Sequence, residues 1–160
     1  MAAATSVKLV LSSEVRLVDL VHAATETMAG IAGFEEDDAL NMAIAVREAV
    51  INAIVHGNKM DPSRKVEVSL QAGSKSVKAR VRDQGAGFDS GATPDPTVDN
   101  LMRSSGRGVL VMRAFVDKVD FKYRDGRGME VTLEKRRAIS KAKSSTRPSV
   151  VAVDNGGSER

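Results

Sequence analysis

The sequence predicts an α+β fold, a two-layer α/β sandwich in which helices cover one face of a mixed, mostly antiparallel sheet. Three observations predict it. Two long segments repeat apolar residues every three or four positions, which is helical spacing. Four short segments alternate apolar and polar residues, which is strand spacing, and turn residues join them in pairs as hairpins. Hairpins combined with helices bury their apolar faces as two layers around one core.

The central element is a helix over residues 39–59. It contains no glycine or proline before Gly57, which is predicted to end it. The four acidic residues at 35–38 suit the positive end of its dipole and offer an N-cap. Its apolar face is wide, so this helix is predicted to lie in the core.

A strand at 7–11 and a helix over 17–31 come before it. The strand is rich in apolar and β-branched residues, and Ser12 or Ser13 is predicted to cap the helix. Gly30 and Gly33 are predicted to end that helix. The chain thus begins with a strand followed by two helices.

Two hairpins follow the central helix. The first joins strands at 66–70 and 77–81 through 72–75, and the second joins strands at 119–123 and 129–133 through 125–128. Between them, residues 88–105 lack periodicity and are predicted to form a mobile lid with a short helix near 98–103. A second short helix is predicted over Gly108–Phe115.

Composition indicates one ordinary globular domain. The chain has 160 residues, of which 42% are hydrophobic and 28% are charged. We predict a flexible N-terminus at 1–6, one folded domain at 7–136 and a disordered basic tail at 137–160. The net charge of +3 is accounted for by that tail, so a folded nucleic-acid-binding face is not expected. The tail itself remains a possible nucleic-acid-binding segment.

Several classes of protein are not expected. The chain has no cysteine, which excludes disulfides, thiol nucleophiles and cysteine metal sites. The first residues lack the pattern of a signal peptide, and no run approaches the roughly twenty apolar residues of a membrane span. We therefore expect a cytoplasmic protein without a membrane partner.

Three polar or glycine-rich motifs interrupt this pattern. Glu48 and Asn52 lie one turn apart on the central helix, where unpaired polar groups are costly. Asp83, Gly85 and Gly87 follow a buried strand, and Gly106, Arg107 and Gly108 begin a short helix. Each motif alone has an ordinary explanation: a solvated polar pair, an Asx-turn and a glycine hinge.

Taken together and in this order, the motifs resemble the nucleotide-binding boxes of the gyrase, histidine-kinase and heat-shock-chaperone ATPase superfamily. The chain is more closely similar to the single-domain anti-sigma factor serine kinases of bacteria, over roughly residues 7–135. The resemblance implies a Bergerat-type ATP-binding fold with ATP and Mg²⁺ as cofactors. It also implies a sigma factor, an antagonist protein phosphorylated on serine or threonine, and a second copy of the chain as partners.

The resemblance also assigns roles at the phosphate end of the site. Asn52 is the metal ligand, because its amide oxygen suits Mg²⁺ that keeps several waters and phosphate oxygens. Glu48 is the catalytic residue that orients or deprotonates the attacking hydroxyl. Gly106 and Gly108 leave backbone N–H groups exposed for phosphate, and Arg107 is expected to reach the γ-phosphate.

At the base end, Asp83 is expected to accept a hydrogen bond from the adenine amine, a donor that guanine lacks at the same edge. Gly85 and Gly87 let the backbone approach the base closely. Two other functions remain open: a nucleotide-binding partner switch without phosphoryl transfer, and the detached ATPase domain of a histidine kinase. No P-loop or protein-kinase motif is present in the sequence.

Overall fold

The computed structural model describes residues 4–85 and 107–138. Its elements, in chain order, are β1 Thr5–Ser12, a 3₁₀ turn Val15–Leu17, α1 Val18–Ile31, α2 Glu36–Asn52, a π-helical turn Ala53–Gly57, β2 Lys65–Ala72, β3 Ser76–Arg82, α3 Gly108–Phe115, β4 Lys118–Tyr123 and β5 Met129–Arg136. The predicted lid and its short helix lie outside the described residues, as do most of the predicted tail and the first three residues.

The five described strands form one sheet in the order β1-β2-β3-β5-β4. Every neighbouring pair is antiparallel. The predicted two-layer α+β fold is confirmed, with the difference that the described sheet is antiparallel throughout rather than mostly so. Both predicted hairpins are present, and β5 joins them by pairing with β3, with Val81 opposite Val131.

The core lies between the sheet and the helices. Alternate residues of β2, β3 and β5 point into it, and α2 contributes seven buried residues to the other side. The fully buried side chains of largest volume include Met42 of α2, Ile54 of the π-helical turn, Leu70 of β2, Met112 of α3 and Leu133 of β5. Burial of this apolar face is what holds α2 against the sheet.

The other face of the sheet is charged and open to solvent. Cross-strand ion pairs cover it, including Lys8 with Glu67 at 3.1 Å and Arg80 with Glu130 at 3.5 Å. Exposed pairs of this kind contribute little stability each. They make one face of the sheet polar, so the helices and any site they form lie on the opposite face.

Taken together, α2 and the π-helical turn form a 22-residue helical segment. Its length, and a mean hydropathy of 1.3 over an 18-residue window within it, would allow a membrane span by composition alone. Most of its apolar residues, however, belong to the buried core that it shares with α1, α3 and the sheet. The segment is therefore explained as the core helix of this domain.

Four details differ from the predictions. The strand β1 begins at Thr5, so two residues assigned to the flexible N-terminus pair with β2. Gly30 lies inside α1, and only Gly33, with φ +79°, follows its end. Ser13 does not cap a helix, because its hydroxyl donates to the carbonyl of Arg64 at 2.8 Å. Glu35 occupies the N-cap position of α2 without a side-chain hydrogen bond.

Candidate functional site

Glu48 and Asn52 meet the start of α3. Both lie on the half-buried side of α2, one turn apart. A Cβ atom added to Gly108 would lie 3.2 Å from Asn52 Nδ2 and 3.2 Å from Glu48 Oε2. Few real Cβ contacts are so short, so the absence of a side chain at Gly108 lets the two polar heads lie against the helix start. The structure therefore brings together three of the predicted site residues.

The first turn of α3 begins at this contact. Arg107 precedes Gly108 as the N-cap residue, and its carbonyl accepts a hydrogen bond from the amide of Val111 at 3.0 Å. Gly108 and Val109 are buried, whereas the side chain of Arg107 is exposed. The helix N-terminus, whose backbone N–H groups favour binding of an anion, thus lies beside Glu48 and Asn52.

Asp83 lies just past the end of β3 and is buried, with 7% of its surface exposed. Its Oδ1 accepts hydrogen bonds from the amides of Gly85 at 2.9 Å and Met129 at 3.1 Å. The amide of Asp83 in turn donates to the carbonyl of Met129 at 3.0 Å. The carboxyl group is therefore held in one orientation by backbone groups from two directions.

Three glycines surround the Asp83 carboxyl group. A Cβ atom at Gly57 would overlap its Cγ and Oδ2, and one at Gly128 would overlap its Oδ1 and backbone oxygen. A Cβ atom at Gly85 would lie 2.6 Å from the carbonyl oxygen of Gly57. Only glycine fits at these positions without movement of the Asp83 side chain or of the surrounding backbone. Asp83 thus packs tightly against the end of the π-helical turn and the β4–β5 connection.

Burial raises the pKa of the Asp83 carboxyl group above its ordinary value, because the charged form loses solvation. The two backbone hydrogen bonds and the positive charges of Arg124 and Arg64 act in the opposite direction. Arg124 belongs to a set of residues that line a cavity of about 450 Å³ next to Asp83. These residues are Glu67, Arg82, Asp83, Gln84, Arg124, Gly126 and Arg127.

This raised pKa predicts a pH dependence of stability. The folded chain binds a proton at Asp83 more readily than the unfolded chain, whose carboxyl group has a pKa near 3.8. The group therefore destabilises the folded state as the pH rises from 3.8 through the raised pKa. Asp83→Asn removes this effect. We expect the melting temperature of the native chain, minus that of the variant, to fall as the pH is raised from about 4 to about 7.

The opposite pH trend, with the native chain gaining stability over the variant as the pH rises, would mean that hydrogen bonds and arginines outweigh burial at Asp83. A difference in melting temperature that does not change with pH would mean that the pKa of Asp83 is the same in the folded and unfolded chains.

Of the eight predicted site residues, the structure describes six. Glu48, Asn52 and Gly108 form one cluster, and Asp83 and Gly85 form another. Arg107 lies next to the first cluster with its side chain exposed, while Gly87 and Gly106 lie outside the described residues. The described residues contain no group of three or more acidic, histidine or cysteine side chains that could hold a metal ion.

Three further residues belong to the Asp83 cluster although the sequence pattern did not select them. Gly57 was predicted only to end a helix, and Gly128 only to form a turn. Asn58 is not among the predicted site residues, yet it is fully buried and its Oδ1 accepts a hydrogen bond from the backbone N–H of Gln84 at 2.7 Å. The available signal was the Gly57–Asn58 pair itself, a glycine followed by a polar residue directly after the helix that carries Asn52.

Comparison with known proteins identifies relatives of this chain. A model of the histidine kinase-like ATPase domain matches residues 11–135. The anti-sigma F factor of Geobacillus thermodenitrificans is 35% identical over 109 residues, which are 66% of this chain and 75% of that protein. The serine-protein kinase RsbW of Bacillus licheniformis is 34% identical over 104 residues, which are 58% of this chain and 64% of that protein.

A solved structure shares the fold. The crystal structure of the RsbU and RsbW domains of a Mycobacterium tuberculosis protein superposes with a TM-score of 0.59 at 20% identity, covering 82% of this chain and 32% of that one. The resemblance that the three motifs indicated is thereby confirmed. Because the family model matches more than half of the chain, over a range that includes both residue clusters, the chain belongs to the histidine kinase-like ATPase domain family.

Proposed function

We infer that this chain is a serine/threonine protein kinase that also acts as an anti-sigma factor, and we propose that ATP with Mg²⁺ binds where α2 meets α3. The contact of Glu48 and Asn52 with Gly108 carries the proposal, because it joins a carboxylate, an amide oxygen and a helix N-terminus at one point. The relatives named anti-sigma F factor and serine-protein kinase RsbW support this class of function.

Asp83 is the proposed base-recognition residue. Two backbone amides fix Oδ1, which holds the carboxyl group in a defined orientation. When ionised, it accepts a hydrogen bond from the exocyclic amine of adenine, and guanine offers no donor at that edge. A buried acceptor left unpaired is costly, so this residue favours ATP over GTP.

Asn52 is the proposed metal ligand, and its chemistry fits. Its half-buried amide supplies a hard oxygen, and Mg²⁺ needs few protein ligands when phosphate oxygens and water provide the others. Bound with the triphosphate, Mg²⁺ would neutralise phosphate charge. Gly108 leaves space and a backbone amide for the phosphates. Gly106, which lies outside the described residues, is a proposed phosphate contact from its place in the sequence motif. Arg107 is the proposed γ-phosphate contact, since its exposed side chain begins at the same helix end.

Glu48 is the proposed catalytic residue. It takes the proton of the serine or threonine hydroxyl while that oxygen bonds to the γ-phosphorus of ATP. The bond from this phosphorus to its bridging oxygen breaks, and the electron pair leaves with ADP. The products are the phosphorylated antagonist protein and ADP. Positioning and charge stabilisation account for most of the rate in this chemistry, so the Glu48–Asn52 geometry is central.

The proposed partners are those of an anti-sigma factor that is also a protein kinase. They are a sigma factor, which the chain holds inactive, and a small antagonist protein, which it phosphorylates. We further propose a homodimer in the cytoplasm, without direct binding to nucleic acid or membrane. Two alternatives make different predictions: a partner switch would bind ATP without transferring phosphate, and a detached histidine-kinase domain would yield acid-labile phosphohistidine.

One titration tests ATP and metal binding. We expect the native chain to bind ATP more tightly than GTP, and more tightly with Mg²⁺ than without it. Asn52→Ala should lose the Mg²⁺-dependent part of the ATP affinity, about tenfold or more, because the amide oxygen is removed. Isothermal titration calorimetry with each nucleotide, with and without Mg²⁺, measures these affinities.

The matched control is Gln71→Ala, which removes an exposed amide from β2 on the other face of the sheet. It should leave every affinity unchanged. A Mg²⁺ dependence that survives in Asn52→Ala would remove Asn52 from the metal site, and a native chain that binds neither nucleotide would reject the proposed function as a whole.

A further inference from the structure

A buried amide links the two ends of the proposed site. Asn58 directly follows the π-helical turn and has no solvent-exposed surface. Its backbone N–H donates to the carbonyl of Ala53 at 2.8 Å, which closes that turn. The side chain is therefore rigidly attached to the end of the helix that carries Asn52.

Every polar atom of the Asn58 amide has a partner. Nδ2 donates to Ser13 Oγ at 2.8 Å and to the carbonyl of Lys65 at 3.0 Å. Oδ1 accepts the backbone N–H of Gln84 at 2.7 Å. Because two partners are acceptors and one is a donor, only one orientation of the amide satisfies them.

The residue that Asn58 holds lies between Asp83 and Gly85. Gln84 is fixed a second time, because its side-chain Oε1 accepts the backbone N–H of Lys65 at 2.6 Å. Gly57, the residue before Asn58, contacts the Asp83 carboxyl group, and the carbonyl oxygen of Gly57 lies against Gly85. Two adjacent residues, Gly57 and Asn58, thus support three consecutive residues of the base-recognition turn.

We propose that Asn58 is a positioning residue for base recognition, acting through the Gln84 amide to fix the Asp83 carboxyl group. The inference rests on the proposed function, because it assumes that Asp83 contacts adenine. It adds a physical link that the sequence motifs do not contain. The same residue also ties this turn to Ser13, whose hydroxyl holds the connection between β1 and α1.

The test compares base selectivity rather than stability alone. Asn58→Ala leaves the Gln84 amide without its buried acceptor, so the turn can shift and Asp83 loses its fixed direction. We expect the ratio of ATP to GTP affinity to fall about tenfold, measured by calorimetric titration at a temperature where the variant is folded. Asn58→Asp keeps an acceptor for Gln84 and should retain most of the ratio, although its stability falls.

The matched control is Thr25→Ala. Thr25 is also fully buried, and its hydroxyl donates to the carbonyl of Val21 within α1, away from the turn. Its loss should lower the melting temperature without changing the nucleotide ratio. This separates a positioning role from a structural one, because partial unfolding weakens the apparent affinity for ATP and GTP by the same factor and leaves their ratio unchanged.

Two results would overturn the inference. One is an Asn58→Ala variant that binds ATP and GTP with the native ratio. The other, which needs no variant, is rapid hydrogen exchange of the Gln84 amide in the native chain, since a lasting hydrogen bond from this amide to the buried Asn58 side chain requires protection. Absence of ATP binding by the native chain would instead reject the proposed function and is distinguishable from both.

Discussion

Glu48→Gln is expected to abolish phosphoryl transfer to the antagonist protein while leaving ATP binding close to native. Gln has the same size and keeps one oxygen beside Gly108, so the contact in the structure is preserved. It cannot accept the proton of the attacking hydroxyl. Loss of a general base lowers a rate by roughly 10²- to 10⁴-fold, which makes this the largest effect on activity that we predict.

The measurement is a single-turnover reaction with labelled ATP and the antagonist protein, next to an equilibrium titration with ATP. Glu36→Gln is the matched control, because Glu36 is an exposed carboxylate in the first turn of the same helix. It should transfer phosphate at the native rate. Transfer by Glu48→Gln at that rate would remove Glu48 as the base.

The same assay separates the alternatives. A native chain that binds ATP but transfers no phosphate would be a nucleotide-dependent partner switch. Label that is lost in acid would indicate phosphohistidine and a histidine-kinase domain. Phosphate that is stable in acid and located on serine or threonine of the antagonist would support the kinase function.

The elements of the fold were predictable because each carries a local signal. Apolar spacing identified α1, α2 and the alternating strands, and glycine or proline identified their connections. The order of the strands was not predictable in this way. Pairing of β3 with β5 joins segments about fifty residues apart, and neither strand contains a sequence pattern that identifies the other as its partner. The uniformly antiparallel sheet follows from that pairing and not from any local pattern.

The site was predictable to the same extent. Glu48 and Asn52 stood out because they are polar on a core helix, and Gly108 because it begins a helix. The neighbours of Asp83 did not stand out, because a glycine at a helix end or in a hairpin has an ordinary local explanation. The specific need for Gly57 and Gly128 arises only when the folded chain brings both against the same carboxyl group.

The π-helical turn is a further tertiary feature. The backbone N–H of Asn58 donates to the carbonyl of Ala53, five residues earlier, and the backbone N–H of Met60 donates to the carbonyl of Ile54 at 2.8 Å. Such turns are rare and are found often at functional sites. Here the turn brings Gly57 against Asp83 and leaves the Asn58 side chain bonded to the Gln84 amide, so it connects the Asn52 cluster to the Asp83 cluster.

Gly128→Ala is expected to cause the largest loss of stability, together with loss of nucleotide binding. Gly128 has φ +93°, a conformation that side chains other than glycine rarely adopt. Its added Cβ would also overlap the backbone oxygen and Oδ1 of Asp83, which cannot move without breaking the bonds to Met129. We expect the free energy of unfolding to fall by about 2–4 kcal/mol and ATP affinity to fall by about tenfold or more.

Gly126→Ala, two residues earlier in the same turn, provides the comparison that isolates the contact with Asp83. Gly126 also has positive φ, at +63°, but a Cβ there would meet nothing within 4 Å. This variant should lose only the backbone cost, about 1 kcal/mol, and keep native ATP affinity. Urea unfolding of both variants and calorimetric titration with ATP measure the difference. Equal losses of unfolding free energy in the two variants would mean that backbone conformation alone explains the need for glycine at 128. A larger loss in Gly128→Ala, together with weaker ATP binding, would show that this glycine is needed to hold the Asp83 carboxyl group in place.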